Sequence, residues 1–147
     1  MSAMKKDSGP GKTPILPAWN IIIMQEKAGG IRMSFVTIRA RDIFRYLKNG
    51  RGLLVDLRQQ EKYCAGHIPG AVNIPYEELQ DRMQEIKQQL AEHSAGRMQS
   101  PAIVYCDRGN TSLLAARDLY RAGISVLNVY GGFFYYRGPV VKGCSPN

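Results

Sequence analysis

The chain has 147 residues, of which 44% are hydrophobic and 22% charged, the balance of an ordinary globular domain. This balance excludes wholesale disorder and collagen-like repeats, and no apolar run approaches the roughly 18–20 residues that a transmembrane helix needs. Twenty Lys and Arg against twelve Asp and Glu give a formal net charge of +8, which favours anionic partners such as phosphate or sulfur oxyanions.

Residues 1–33 are predicted to be a flexible extension that precedes one domain over residues 34–147. The segment Lys5–Lys12 is polar and rich in Gly and Pro. In the alternative interpretation, Ile21–Met24 adds a strand or packs on the domain. The run Ile21–Met24 is too short for the apolar region of a secretory signal, so we expect a cytoplasmic protein without a membrane partner.

Apolar runs of strand length alternate with amphipathic helical patterns after residue 33. The apolar runs predict strands at 35–38, 53–57, 102–105 and 125–129, and the segment 70–75 is predicted to contain a further short strand. Periodic apolar positions predict helices at 40–47, 77–92 and 112–122. Strands separated by helices imply an α/β fold with a mostly parallel sheet and helices on both faces. In such a sheet, the ligand site lies beyond the carboxyl ends of the strands.

The segment from Tyr105 to Ser112 carries the strongest chemical signal. A predicted buried strand ends at Tyr105 and a helix is predicted from Ser112, so Cys106 is expected at the sheet edge, facing a helix N-terminus. Unpaired backbone N–H groups and the positive dipole end at such a terminus stabilise a thiolate over a thiol. Gly109 permits a turn with inward N–H groups, and Arg108 adds a fixed positive charge. The loop is therefore predicted to hold an anion against a nucleophilic sulfur.

We predict that Cys106 is the catalytic residue. In the alternative, Cys106 is a small apolar residue that simply ends a strand, but the Arg-Gly loop and the helix start favour chemistry. Thr111 and Ser112 are expected to contribute hydroxyl donors. The predicted substrate-binding residues are Asp107, Arg108, Gly109, Asn110, Thr111 and Ser112.

The three cysteines, Cys64, Cys106 and Cys144, form no CxxC pair and no zinc-like quartet. An odd, sparse set without a secretory signal indicates reduced thiols. Cys64, which follows Tyr63, is expected to be inert. Cys144 is expected to be a bystander near a mobile C-terminus, with a resolving thiol for Cys106 as the alternative.

Two separated motifs resemble the signature of the rhodanese family. The first is similar to the family's D-x-R, E-[FY] and GHIPGAxNIP pattern and comprises Val55-Asp56-Leu57-Arg58, Glu61, Tyr63 and Gly66-His67-Ile68-Pro69-Gly70-Ala71-Val72-Asn73-Ile74-Pro75. The second is the loop Cys106–Thr111, followed by a helix and by Gly131-Gly132. Together the motifs span residues 36 to about 140.

The resemblance implies a single-domain rhodanese fold and a sulfurtransferase without a metal or an organic cofactor. The Cys106 thiolate would accept a sulfane sulfur from a donor such as thiosulfate or polysulfide and carry it as a persulfide. Cyanide or a thiol, including one on an acceptor protein, would then remove the outer sulfur. The N–H groups of the loop would hold the negative charge as an oxyanion hole does.

Nucleic acid is disfavoured as a ligand, because no stripe of Arg and aromatic residues is visible in the sequence.

The length and charges of the loop separate the chemistries that the resemblance allows. Related phosphatases carry Cys-x5-Arg, and Ser112 at that arginine position disfavours a phosphatase or arsenate reductase. Many single-domain rhodaneses end the loop in Arg, whereas Thr111 with a positive charge at Arg108 resembles thiosulfate sulfurtransferases. Asp107 is expected to weaken the affinity for thiosulfate, since it adds a negative charge beside the nucleophile. A non-catalytic binding or regulatory module of rhodanese type is therefore the alternative function.

Other residues of the motifs are predicted to have supporting roles. Asp56, Arg58 and Glu61 are expected to form an ion-pair network, with a direct substrate role for Arg58 as the alternative. His67 is expected to brace a turn rather than act as a general base. Gly131-Gly132 is expected to let a backbone segment approach the loop closely. The aromatic residues at 133–136 are expected to pack in the core, with one or two rings lining the pocket.

Overall fold

The computed structural model describes residues 35–48, 52–94 and 100–146. The extension predicted for residues 1–33, including the alternative strand at Ile21–Met24, lies outside the described residues. The strands in the described residues are β1 Val36–Arg39, β2 Leu53–Asp56, β3 Val72–Asn73, β4 Ala102–Tyr105 and β5 Val126–Tyr130. The α-helices there are α1 Ile43–Leu47, α2 Gln60–Ala65, α3 Met83–Ser94, α4 Asn110–Arg121 and α5 Gly132–Tyr135.

The five strands form one sheet in the order β1-β5-β4-β2-β3, and all neighbouring strands run parallel. β2 and β4 are buried along their whole length, which is why their sequences are apolar apart from Asp56 at the end of β2. The register pairs Asp56 with Tyr105, so these two residues end neighbouring strands at the same edge of the sheet. The predicted α/β fold with a parallel sheet is confirmed.

The hydrophobic core lies in two layers, one on each face of the sheet. Val55 and Val104 pack with the apolar faces of α3 and α4, whereas Leu54 and Ile103 pack with α1 and Tyr63. Neighbouring residues of a strand point to opposite faces, so this division follows from strand geometry. Helices therefore cover both faces, as predicted.

The helices differ from the prediction in several places. The first turn of the helix predicted at 40–47 is a 3-10 helix, Ala40–Asp42, which leads into α1. The sequence pattern does not predict α2 and α5, because their six and four residues are too few for a helical periodicity to be detected. The predicted helix at 77–92 is replaced by a 3-10 turn at Tyr76–Glu78 and by α3. α4 begins at Asn110 rather than at Ser112, because Gly109, with a φ of 104°, turns the chain into the helix earlier.

Cys64 and Cys144 form a disulfide with their Cα atoms 4.5 Å apart. The expectation that both are reduced bystanders is therefore wrong. An antiparallel bridge between His67 and Val141 brings the two cysteines together across a sequence separation of 80. Local spacing carries no information about a pairing over that distance. Cys106 is the free cysteine, and it is buried.

The C-terminal segment is hydrogen-bonded to the connection between α2 and β3. The N–H of Gly143 donates to the carbonyl oxygen of Cys64 at 2.8 Å, and the N–H of Gly70 donates to that of Pro146 at 2.9 Å. These contacts place the segment next to α2, which itself lines the candidate site described below.

Candidate active site

Cys106 lies at the carboxyl end of β4, in the loop that leads to α4. The residue is nearly enclosed, with 5% of its surface exposed. Its Sγ accepts hydrogen bonds from the backbone N–H groups of Gly109, at 3.1 Å, and Ser112, at 3.3 Å. Donors in this arrangement stabilise negative charge on the sulfur. Two N–H groups of the loop are therefore directed at the sulfur.

Gly109 makes the turn of this loop possible. Its φ of 104° lies in the left-handed region, and a Cβ on it would come within 3.0 Å of the backbone nitrogen of Gly131. A larger residue would push the loop away from the segment between β5 and α5. The N–H of Gly109 would then lose its position opposite the Sγ of Cys106.

The segment after β5 packs directly on the backbone of the loop. Gly132 has a φ of 63°, and a Cβ there would clash with the carbonyl oxygens of Cys106 and Asp107. The same two carbonyl oxygens accept hydrogen bonds from the N–H groups of Phe133, at 2.8 Å, and Phe134, at 2.9 Å. The predicted close approach of backbone to the loop is confirmed, and it holds the loop in place from the α5 side.

A cleft of about 620 Å³ contains Cys106 in its wall. Four predicted site residues line it with Cys106: Asp107, Arg108, Asn110 and Thr111. Other segments supply the remaining lining residues: Leu57, Arg58, Gln59, Lys62, Tyr76, Glu77, Phe133 and Phe134. The cleft thus joins the loop with α2, with the turn at Tyr76 and with α5.

Two predicted site residues, Gly109 and Ser112, do not line this cleft. The hydroxyl of Ser112 donates to the carbonyl oxygen of Gly109 at 3.2 Å, and the residue is fully buried. Ser112 contacts the sulfur through its backbone N–H instead. The structure differs here from the expected hydroxyl donor, because the earlier start of α4 directs this side chain into the loop.

Lys62 lines the cleft and is not among the predicted site residues. Its Nζ lies 2.6 Å from Oδ2 of Asp107, and the two side chains are 58% and 48% exposed. The carboxylate that was expected to repel an anionic donor is therefore paired with a cation from α2. Exposed ion pairs contribute only about 0–1 kcal/mol, so the ammonium group can turn to an incoming anion at small cost. Its place beside Tyr63 in the first motif was the available signal.

Arg108 contacts the aromatic wall of the cleft. The Cζ of its guanidinium lies 4.2 Å from the ring centroid of Phe134, a cation–π contact worth about 0.5–1 kcal/mol at an exposed site. No ion pair within the described residues involves Arg108. Its charge is therefore not cancelled by a carboxylate in the described part of the chain.

Arg58 forms a buried part of the cleft wall. Its Nη2 lies 2.7 Å from Oδ2 of Asp56 and donates to the carbonyl oxygen of Gly66, also at 2.7 Å. The Tyr105 hydroxyl donates to the same carboxylate at 2.7 Å. The predicted pairing of Asp56 with Arg58 is confirmed, whereas Glu61 is exposed and has no ion pair within the described residues. Arg58 is thus engaged by the protein itself.

The same contacts hold Arg58 and Tyr105 in defined protonation states. Burial alone would lower the pKa of the Arg58 guanidinium, but the hydrogen bonds and the charge of Asp56 raise that pKa above its ordinary value. Burial is the main cause that raises the pKa of Tyr105 well above that of free tyrosine, and Asp56 adds to the shift. At neutral pH the cluster therefore contains a charged guanidinium and a protonated phenol.

His67 lies outside the cleft and is fully buried. Its Nδ1 lies 2.9 Å from the carbonyl oxygen of Tyr63, and its Nε2 lies 3.2 Å from that of Pro146. The imidazole also stacks on the Tyr63 ring with a centroid distance of 3.8 Å. The predicted bracing role is confirmed.

The four aromatic residues at 133–136 differ in burial and in whether they line the cleft. Tyr136 is buried in the core, and the rings of Phe133 and Phe134 line the cleft. Tyr135 is 56% exposed, so the expected core packing is wrong for that residue. The run thus contributes to the core, to the cleft and to the surface.

The described residues contain no group of three or more His, Cys, Asp or Glu that could hold a metal ion. In the same part of the chain, no helix has the length and apolar character needed to cross a bilayer.

A family model described as the Rhodanese-like domain matches residues 41–138, which include the cleft and both sequence motifs. Among curated proteins, the chain is 34% identical over 102 residues to an HTH-type transcriptional regulator of Mycobacterium tuberculosis. The match covers 68% of this chain and 41% of that protein, so the chain spans about two fifths of the length of that relative.

Two solved structures show the same fold. The reduced CoADR-RHD protein of Bacillus anthracis is 33% identical with a TM-score of 0.57, and the match covers 69% of this chain and 16% of that chain. The rhodanese with anions from E. coli is 30% identical with a TM-score of 0.50, and the match covers 63% of this chain and 99% of that chain. These similarities agree with the architecture of the sheet.

Proposed function

The chain belongs to the rhodanese-like domain family, and we propose that it is a sulfurtransferase that works through a persulfide on Cys106. It moves a sulfane sulfur from an anionic donor such as thiosulfate to a thiol or cyanide acceptor. The observation that carries this proposal is the position of Cys106 Sγ, 3.1 and 3.3 Å from two backbone N–H donors of its own loop. Such donors stabilise an anionic sulfur, whether it is a thiolate or a persulfide.

The proposed reaction has two displacement steps. The Cys106 thiolate attacks the sulfane sulfur of thiosulfate, a new S–S bond forms, and sulfite leaves with the electron pair of the old S–S bond. The acceptor, cyanide or a thiolate, then attacks the outer sulfur of the persulfide. Cys106 leaves as a thiolate, and the product is thiocyanate or a new persulfide. Neither step needs an external oxidant or reductant.

The charges around the cleft support an anionic donor. Lys62 and Arg108 both line the cleft, one on α2 and the other on the loop. Cations that converge on a concave site raise the local concentration of anions. The cleft also contains two carboxylates: that of Asp107 is paired with Lys62, and that of Glu77 accepts a hydrogen bond from Gln59. Arg108 is therefore the lining cation whose charge no ion pair in the described part of the chain offsets.

The end of the loop argues against phosphate-ester chemistry. Ser112 follows the six residues Cys106–Thr111, and its hydroxyl is already bonded to the carbonyl oxygen of Gly109. A phosphoryl group in the cleft would therefore find no guanidinium at this position to stabilise its transition-state charge.

The similarity to a transcriptional regulator favours a second candidate function, a regulatory module of rhodanese type. In such a module Cys106 would take up a sulfur atom without passing it on in repeated cycles. The same loop would stabilise the persulfide, so the two candidates differ in turnover rather than in the first chemical step.

Intact mass combined with turnover separates the two candidates. After incubation with thiosulfate, the protein is expected to gain the mass of one sulfur atom, and cyanide is expected to remove it with repeated formation of thiocyanate. Cys106→Ser is expected to gain nothing. The matched control is the double variant Cys64→Ser/Cys144→Ser, which keeps the Cys106 thiol and should keep the uptake. Uptake without repeated turnover would favour the regulatory module, and no uptake would contradict both.

A further inference from the structure

Three exposed aromatic side chains lie together beside the cleft. These residues, Tyr130, Phe134 and Tyr135, are 60%, 51% and 56% exposed, and we call them the aromatic ridge. The Tyr130 and Tyr135 rings stack with a centroid distance of 6.1 Å, and Phe134 meets Tyr135 edge to face at 5.4 Å. Because Phe134 also lines the cleft, the ridge begins at the opening that leads to Cys106. Contiguous exposed apolar surface of this kind marks an interaction site.

Two arginines border the aromatic ridge. The Arg108 guanidinium lies 4.2 Å from the ring centroid of Phe134, and Nη1 of Arg137 donates to the carbonyl oxygen of Phe134 at 2.9 Å. Neither arginine takes part in an ion pair within the described residues. The carboxylate of Asp107 is paired with Lys62. The ridge therefore combines aromatic surface with two positive charges that no described carboxylate cancels.

We propose that the aromatic ridge docks a protein acceptor through an acidic segment that carries the accepting cysteine. This inference rests on the proposed function and names the acceptor class. Aromatic residues and Arg are the residues enriched at the energetic centres of protein interfaces. The two arginines complement acidic side chains, and the net charge of +8 draws an acidic partner toward this protein.

The geometry of the ridge favours a protein partner over a nucleic acid. Proteins that bind single strands present aromatic faces on which bases stack. In the ridge, Tyr130 and Tyr135 are stacked on each other with an interplanar angle of 8°, and Phe134 has the Arg108 guanidinium over its ring. Contacts within the protein thus already engage all three rings, which leaves less ring surface for bases to stack on than an open aromatic platform offers.

The docked segment would supply the nucleophile of the second step. The acceptor thiolate attacks the outer sulfur of the Cys106 persulfide, the S–S bond to Cys106 breaks, and Cys106 leaves as a thiolate. The acceptor then carries the persulfide. Docking beside the cleft holds the reacting sulfur atoms close together, which lowers the entropic part of the barrier.

Two synthetic peptides with a single cysteine test the proposal, one flanked by Asp and Glu and the other by an equal number of Lys. Cyanide serves as the small acceptor. We expect kcat/KM for the acidic peptide to be about tenfold higher than for the basic peptide. Tyr130→Ser and Arg137→Glu should each lower kcat/KM for the acidic peptide about fivefold to tenfold. Neither residue lines the cleft, so the rate with cyanide should not change.

Lys87→Glu is the matched charge control. Lys87 is exposed on α3, which packs on one face of the sheet. Tyr136, the residue that follows the ridge residue Tyr135, packs on the opposite face. The substitution changes the net charge as much as Arg137→Glu does, but it should leave transfer to the acidic peptide unchanged, because salt screens exposed charges that do not border the docked segment. Equal losses in both charge variants would overturn the proposal.

Binding of the same peptides with serine in place of cysteine tests docking without chemistry. The acidic peptide should bind more tightly than the basic one and lose affinity in both ridge variants. If this pattern holds while no persulfide forms, the proposed function fails and the docking surface stands. Equal binding of the two peptides overturns the docking surface. Tighter binding of a single-stranded RNA that is lost in Tyr130→Ser also overturns it in favour of a nucleic acid.

Discussion

The Nζ of Lys62 lies 2.6 Å from Oδ2 of Asp107, and both residues line the cleft that contains Cys106. The two residues are separated by 45 positions in the chain. Asp107 therefore does not present an isolated negative charge to an incoming donor. The net charge of the cleft depends on this pair. Removal of Lys62 should make the cleft more negative, and removal of the Asp107 charge should make it more positive.

Lys62→Met is expected to raise the KM for thiosulfate about fivefold, because it leaves the carboxylate of Asp107 uncompensated beside the donor. An exposed unit charge at this range contributes about 1 kcal/mol. Asp107→Asn should lower the KM, because Lys62 is then available to the anion. Steady-state kinetics at low and high salt should show both effects shrinking as salt rises. An unchanged KM in Asp107→Asn would mean that its charge does not reach the donor.

Arg108→Ala is expected to raise the KM for thiosulfate by a similar factor, about fivefold, because the loop loses its positive charge. Arg121→Ala removes the same side chain from the exposed last turn of α4 and should have no effect. The comparison is made at one ionic strength, since screening alters both variants. If the two variants behave alike, Arg108 has no special place in donor recognition.

Cys106→Ser is expected to abolish sulfur transfer while leaving the fold intact. The substitution keeps the size of a side chain that is almost fully buried, and it removes the nucleophilic thiol. The measurements are thiocyanate formation and the circular dichroism spectrum of the variant. Transfer at the wild-type rate would place the persulfide on another residue.

Tyr105→Phe is expected to lower the free energy of unfolding by about 1–3 kcal/mol, because buried Asp56 loses a hydrogen-bond donor. Burial raises the pKa of Tyr105 in the folded state above the unfolded value of about 10. The contribution of the Tyr105 hydroxyl to the free energy of unfolding is therefore complete below a pH of about 10 and is lost as the pH rises further. Denaturant unfolding should show the difference from wild type shrinking above that pH. Tyr130→Phe, which removes an exposed hydroxyl, is the control and should show no such trend.

Cys144→Ser is expected to lower the free energy of unfolding by roughly 2–5 kcal/mol, because the disulfide to Cys64 closes a loop over a sequence separation of 80. A reductant should destabilise the wild type by the same amount and leave the variant unchanged. Thiol titration of the denatured, unreduced wild type should find one thiol, that of Cys106. Three titrating thiols would show that the disulfide does not form.

Local sequence patterns predict the framework of the candidate site. β2 and β4 are identifiable because strands buried on both faces carry continuous apolar runs. The surroundings of Cys106 are identifiable because the two N–H donors on its Sγ belong to the same short loop. Information of this kind lies within a few positions of the chain, so a single sequence reveals it. The pairing of Asp56 with Arg58 belongs to the same class, since the two residues are two positions apart.

Only the tertiary structure decides which distant residues meet. The ion pair of Lys62 with Asp107 and the disulfide of Cys64 with Cys144 both depend on α2, a helix of six residues that leaves no periodic signal. The exposure of Phe134 and Tyr135 depends on how α5 packs beside the loop. Hydrophobic patterning specifies that a residue is buried or exposed in its own element, whereas its partners depend on the order of the strands and on the path of the chain between them.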